Sequence, residues 1–223
     1  MAAPREPEVI RDKAAMRAWS RRRRAEGKTV AVVPTMGYLH QGHLSLISAA
    51  AAASADPVAI VVTIYVNPSQ FAPSEDLATY PSDFAGKPVI FVGSEYLSLA
   101  NVRDLDFAIE IIGSEIVREA DGLAMSSRNV HLSREEREKA LSISRSLVDA
   151  RTGALKGNTD CKQIKNKIVQ TLTETGGQVD YVEIVEQESL VPVEQIDGPV
   201  VICVAAWFGK VRLIDNIEID TRS

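Results

Sequence analysis

Apolar positions along the chain change their spacing several times, and each change marks an element. Across residues 11–26 they sit at helical intervals, with Ala14, Met16, Ala18 and Trp19 among charges and Gly27 following as a stop, which predicts a first helix. Arg21 to Arg24 closes that segment, where cations suit the helix dipole and predict a solvated end. Lys28 to Val33 is a short, largely apolar run rich in β-branched residues and ended by Pro34, and it predicts a fully buried strand. Residues 43–55 are rich in Ala and Leu and predict a helix, broken at Asp56-Pro57. Val58 to Val66 then predicts a second buried strand, ended by Asn67-Pro68. Strand, helix and strand in quick succession make the βαβ unit of a parallel sheet.

Residues 70–86 read as loop, and Pro88 to Val92 and Phe107 to Ile112 are further strand candidates. Ser133 to Glu136 forms a capping box that opens a helix running to about Ala150, with Ile143, Leu147 and Val148 on its apolar face. A second helix is predicted over 160–174, ended by Gly176-Gly177. Val179 to Val185 and two runs within Val200 to Ile219 read as strands, with Gly209-Lys210 as the turn between the last two. The expected fold class is α/β: a doubly wound parallel-sheet domain over residues 1–129 and a small α+β domain over 130–223.

Composition narrows the function classes. Hydrophobic residues make up 45% and charged residues 25% of the 223 residues, enough for a core and unlike a disordered chain. A formal net charge of −5 argues against nucleic acid as the main partner. No run approaches the ~18 apolar residues of a membrane span. Met1 to Glu8 has no apolar stretch and carries Glu6 and Glu8, so no leader is expected. The two cysteines, Cys161 and Cys203, do not make a disulfide framework and suit a reducing compartment. A cytoplasmic protein is expected.

Histidine is scarce, with three in the chain, yet His40 and His43 share one tetrapeptide between the first predicted strand and the following helix. Loops at strand carboxyl ends bind ligands in open α/β sheets. A helix N-terminus there favours phosphate, and Gly37 and Gly42 would allow close backbone approach. Two imidazoles at such a point can donate hydrogen bonds to phosphoryl oxygens. A second constellation is Met125-Ser126-Ser127-Arg128, led by Asp121-Gly122. Two hydroxyls and a guanidinium there would clamp an anion, although the serines could equally cap local backbone. A third is Val66 to Phe71 at the end of the second strand, where an amide could fix a polar substrate. Together they predict an ATP site with a small polar substrate beside it.

The segment Pro34-Thr-Met-Gly-Tyr-Leu-His-Gln-Gly-His43 closely resembles the signature of the pantothenate synthetase (pantoate–β-alanine ligase) family. Its H-x-G-H element is similar to that of the wider nucleotidylyltransferase superfamily, which implies a Rossmann-like fold. The likeness continues through Tyr65 to Phe71, Asp121 to Asn129, Asp180 to Ile184 and Ala205 to Asn216, and the N-terminal Glu8 to Lys13 resembles the plant branch. The resemblance implies that Met36, Gly37, Tyr38, Leu39, His40, Gln41, Gly42 and His43 line the ATP site, with His40 and His43 catalytic. It gives Val117, Met125, Ser126, Ser127 and Arg128 further ATP contacts, and Gln70 the contact with pantoate and β-alanine. It implies no resident protein-held metal, but Mg²⁺ with the nucleotide, and a homodimer. The reaction implied is attack of pantoate on ATP to give pantoyl adenylate, then displacement of AMP by β-alanine.

The resemblance breaks between Phe84 and Arg103, where the family carries a longer block. That block supplies a lysine and an aspartate to ATP and a glutamine to pantoate. Here Val92 to Ser98, with Glu95, is a faint echo, and Lys87 is the nearby cation. The expectation is a shortened domain with impaired turnover. The alternative is a non-catalytic relative acting as a nucleotide-binding or dimerising subunit.

Overall fold

A computed structural model describes residues 7–64 and 112–221. Gln70 with the rest of the Tyr65–Phe71 motif, the Pro88–Val92 candidate, and all but the last residue of the Phe107–Ile112 candidate lie outside the described residues. The chain divides into two compact units between Glu115 and Ile116.

In the N-terminal unit, α1 (Lys13–Ala25) starts where Asp12 accepts a hydrogen bond from the Ala15 N–H at 2.8 Å. It ends beside Gly27, whose φ of 73° needs no Cβ penalty. Next come β1 (Val30–Thr35), α2 (Gln41–Ala52) and β2 (Ala59–Ile64). The two strands pair in parallel from Val30↔Ala59 to Thr35↔Ile64, as the βαβ pattern predicts.

The expectation of fully buried strands is corrected. Val33 and Thr35 on one face of β1 are buried, but Val32 on the other is 55% exposed, and of β2 only Thr63 is buried. A parallel strand is buried on both sides only when both faces are covered, and among the described residues the second face of β1 has no such cover. Pro34 also lies inside β1 rather than ending it.

The C-terminal unit opens with a tight hairpin around Arg118 and Ala124 and a 3-10 turn at Ser127–His131. Helices α3 (Arg134–Leu155) and α4 (Cys161–Glu174) follow, then β3 (Gln178–Glu186), β4 (Val200–Phe208) and β5 (Val211–Ile219). The three strands form an antiparallel sheet in the order β3-β4-β5. The predicted capping box is present: Ser133 Oγ accepts from the Glu136 N–H at 3.2 Å and Glu136 Oε2 from the Ser133 N–H at 2.8 Å. Ile143 and Leu147 of α3, with Ile164, Ile168 and Leu172 of α4, bury themselves in one core with Ile202, Val204 and Phe208 of β4. The link from α4 into β3 passes so close to this core that a Cβ on Gly177 would lie 2.9 Å from Phe208 Cζ.

Residues 116–129, which the sequence reading places with the N-terminal domain, pack with the C-terminal unit. Arg118 binds Asp215 of β5 in bidentate fashion, at 2.7 and 3.1 Å. The side chain of Asp215 is only 3% exposed. Neither cysteine forms a disulfide, and both are buried. Among the described residues no helix is long and apolar enough to cross a membrane.

Candidate functional site

The turn between β1 and α2 is built by side chains that replace missing backbone partners. Thr35 Oγ1, at the end of β1, donates to the Thr63 carbonyl at 2.6 Å and accepts from the Gly37 N–H at 3.3 Å. This residue, which sequence reasoning did not single out, ties the carboxyl ends of both strands to the start of the turn. Gly37 is buried and has a φ of 94°, a conformation open to glycine alone at little cost. Tyr38 follows with a φ of 49°. Tyr38 and Leu39 are 38% and 44% exposed. Gly42 differs from the expectation: it is a residue of the first turn of α2, not of the loop.

His40 is the N-cap of α2. Its Nδ1 accepts from the Gly42 N–H at 3.2 Å, while His43 Nδ1 accepts from the His40 N–H at the same distance. The His43 and Leu44 N–H groups both point at the His40 carbonyl. Much of the donor capacity expected of this helix end is therefore consumed inside the turn.

The two histidines gain definition from this exchange. An imidazole nitrogen that accepts a hydrogen bond carries no proton, so each ring holds its proton on Nε2. The rings lie 4.1 Å apart, tilted by 41°. Burial, and behind it the neighbouring His40 ring, pushes the His43 imidazole down to about 4. His43 is thus a neutral Nε2–H donor at physiological pH, a type of group that can bond a phosphoryl oxygen without losing its proton.

The second constellation is organised in the C-terminal unit. The Met125 N–H donates to the Val117 carbonyl at 2.9 Å and the Glu119 N–H to the Leu123 carbonyl at 2.8 Å. This hairpin brings Val117 and Met125 side by side, and Gly122 turns it with a φ of 96°. Ser126 Oγ accepts from the Arg128 N–H at 3.2 Å and so starts the 3-10 turn. Ser127 is 5% exposed. Ser126 therefore shapes the loop that carries Arg128, the capping role that competes with a free clamp.

A family model described as Pantoate-beta-alanine ligase matches residues 8–87 and 99–218. The chain belongs to the pantoate–β-alanine ligase family. It is 68% identical to the pantoate–β-alanine ligase of Oryza sativa subsp. japonica over 313 aligned positions, covering 100% of each chain. It is 43% identical to that of Arabidopsis thaliana, covering 96% of this chain and 99% of the other. The crystal structure of pantothenate synthetase from Thermus thermophilus superposes with a TM-score of 0.71 at 30% identity, covering 85% of this chain and 93% of that one.

The resemblance and the fold class expected from the sequence are borne out. So is the internal break: the family match is interrupted at 88–98, and the rice alignment spans 313 positions against 223 residues here. Members of this family are ligases that form pantothenate from pantoate and β-alanine with ATP as substrate.

The structure also exposes residues that the sequence reading passed over. Glu119 binds Arg137 of α3 at 2.7 Å and Asn129 Nδ2 at 2.7 Å. Asn129 is at least part of the matched motif. The Arg137 and Asp215 partners carry no such signal, because nothing local in the sequence pairs residues 18 or 97 positions apart.

Proposed function

We propose that the His40–His43 turn receives the phosphates of ATP, and that the loop from Met125 to Arg128, with Val117, gives the nucleotide further contacts. The observation that carries this reading is the reciprocal histidine cap, which fixes both protons on Nε2. Met36, Gly37, Tyr38 and Leu39 of the turn, with Gln41 and Gly42 at the start of α2, complete the ATP contacts in this reading. In the first step the pantoate carboxylate oxygen attacks the α-phosphorus of ATP. The bond to the bridging oxygen breaks and pyrophosphate departs, with the imidazole Nε2–H groups bonding the developing charge. In the second step the β-alanine amine attacks the acyl carbon, AMP leaves with the bridging electron pair, and the amide loses one proton to solvent. Gln70 holds the substrates in this reading.

Mg²⁺ accompanies the nucleotide, supplying charge neutralisation on the phosphates. Two buried cysteines outside any disulfide suit a reducing cytoplasm, and the family likeness supports a homodimer.

The break at 88–98 favours reduced turnover over loss of binding. The family's lysine toward ATP and glutamine toward pantoate fall in the missing block. Losing one preorganised donor costs about 10²–10³ in rate, so two losses put this chain several decades below a complete relative. The test is AMP release dependent on both pantoate and β-alanine. A rate within about tenfold of a complete relative would refute the impairment. Absence of any ATP binding by calorimetry would refute the site.

A further inference from the structure

We propose that Glu119, Asn129 and Arg137 form a positioning relay that sets where the Met125–Arg128 loop presents Arg128 to a nucleotide phosphate. The inference rests on the reading that this loop serves ATP. None of the three residues touches nucleotide in it, so each acts through the loop rather than as a catalytic group.

Glu119 is the centre of the relay. Its Oε2 takes the Arg137 guanidinium from α3 at 2.7 Å, and its Oε1 takes Asn129 Nδ2 at 2.7 Å. Asn129 directly follows Arg128 and is 7% exposed. The same Nδ2 also donates to the Ala124 carbonyl at 3.0 Å, and the Asn129 N–H donates to the Ser126 carbonyl at 3.1 Å. Asn129, which directly follows the loop, therefore holds the residue before Met125 through its side chain and Ser126 within the loop through its backbone. Arg137 reaches past Glu119 to Asp121 at 2.8 Å, so one guanidinium holds two carboxylates of the hairpin. Hydrogen bonding to Glu119 is the leading cause that raises the Arg137 pKa. The chain of contacts runs from a long, capped helix through one carboxylate to the residue beside Arg128. A side chain held in that way keeps its direction, and small misplacements of charged groups at phosphoryl centres are costly.

Arg137 and Asn129 predict different responses. Asn129→Ala removes the side-chain bonds to Glu119 and to the Ala124 carbonyl, and Arg137→Gln cuts the anchor from α3. Arg137→Lys keeps a cation for one carboxylate but cannot fork across two, so it restores part of the function. The readout is ATP affinity of the full chain with Mg²⁺, by calorimetric titration, in the native background and in Arg128→Ala. Expected is a loss of about tenfold for Asn129→Ala or Arg137→Gln with Arg128 present, and almost none once Arg128 is gone, because coupled residues are non-additive. Thermal melting followed by Trp207 fluorescence in a Trp19→Phe background reports whether each variant folds. Arg137, on the rim with a side chain 29% exposed, provides the foldable arm should Asn129→Ala fail. Equal losses in both backgrounds, or no loss with Arg128 present, overturn the relay while leaving the ATP reading intact. No loss from Arg128→Ala itself, or no ATP binding by the parent chain, overturns that reading and the relay with it.

Discussion

Acid should loosen the β1–α2 turn in a window set by His43. Its imidazole is held down to about 4 in the fold, against about 6.5 when unfolded. As pH falls, the unfolded chain therefore binds the proton first, and folding must oppose it. The His43 contribution is complete above about pH 6.5 and is lost progressively down to about pH 4. A shift of that size corresponds at most to about 3.4 kcal/mol. His43 is only partly buried, so solvent screening reduces this to about 1–2 kcal/mol. Burial is the leading cause, since it disfavours the charged imidazole, and a protonated Nδ1 also cannot accept the His40 N–H now 3.2 Å away. The assay is stability against pH for the parent and for His43→Asn, whose Oδ1 stands where Nδ1 stands but does not titrate. The difference between the two curves should open below pH ~6.5 and close above it. His43→Gln makes the reverse exchange, keeping an amide donor near Nε2 and losing the cap. It should lower stability at neutral pH by about 1 kcal/mol while retaining more ATP affinity than His43→Asn. Parallel pH curves for parent and His43→Asn, or an NMR spectrum with the His43 Nδ1 protonated at neutral pH, would refute the reasoning.

Three further outcomes follow from particular contacts. Asp215→Ala strands the Arg118 guanidinium and should cost about 2–3 kcal/mol, less than a fully buried pair because Arg118 is 27% exposed; urea unfolding read by Trp207 fluorescence in a Trp19→Phe background checks it. Gly177→Ala places a Cβ 2.9 Å from Phe208 Cζ and 3.1 Å from the Leu172 carbonyl, and the same assay should show a loss of about 1–3 kcal/mol. The full chain should scatter light as a dimer at micromolar concentration, and a monomer mass throughout would count against the homodimer.

Sequence pattern exposes the elements with strong local chemistry. The Ser133–Glu136 box and the Gly209-Lys210 turn depend on neighbours within a few residues, so each is legible before any fold is known. Burial in β1 is not, because an apolar run reports what a strand could bury, not what covers it; Val32 is the example. The His40–His43 pair stands out as a chemical oddity, but its reciprocal cap is hidden, since histidine is not among the favoured N-cap residues. Arg118 looks like any surface cation until Asp215 arrives from the last strand. The arrangement of Arg128 depends on Glu119 and Arg137, whose meeting needs α3 laid beside the hairpin.

The pairing of Arg118 with Asp215 also sets a schedule for synthesis. The two residues are 97 positions apart, and β5 is the last strand of the C-terminal unit. On a ribosome that adds about 5–20 residues per second, α3 and α4 emerge seconds before their sheet can close. Until β5 appears, β4 has one strand partner instead of two, and the hairpin that leads to Arg128 lacks its counter-charge. Shape at the loop is thus the final product of translation of this unit, and trimming the chain back past Asp215 would leave two helices waiting for a strand that never comes.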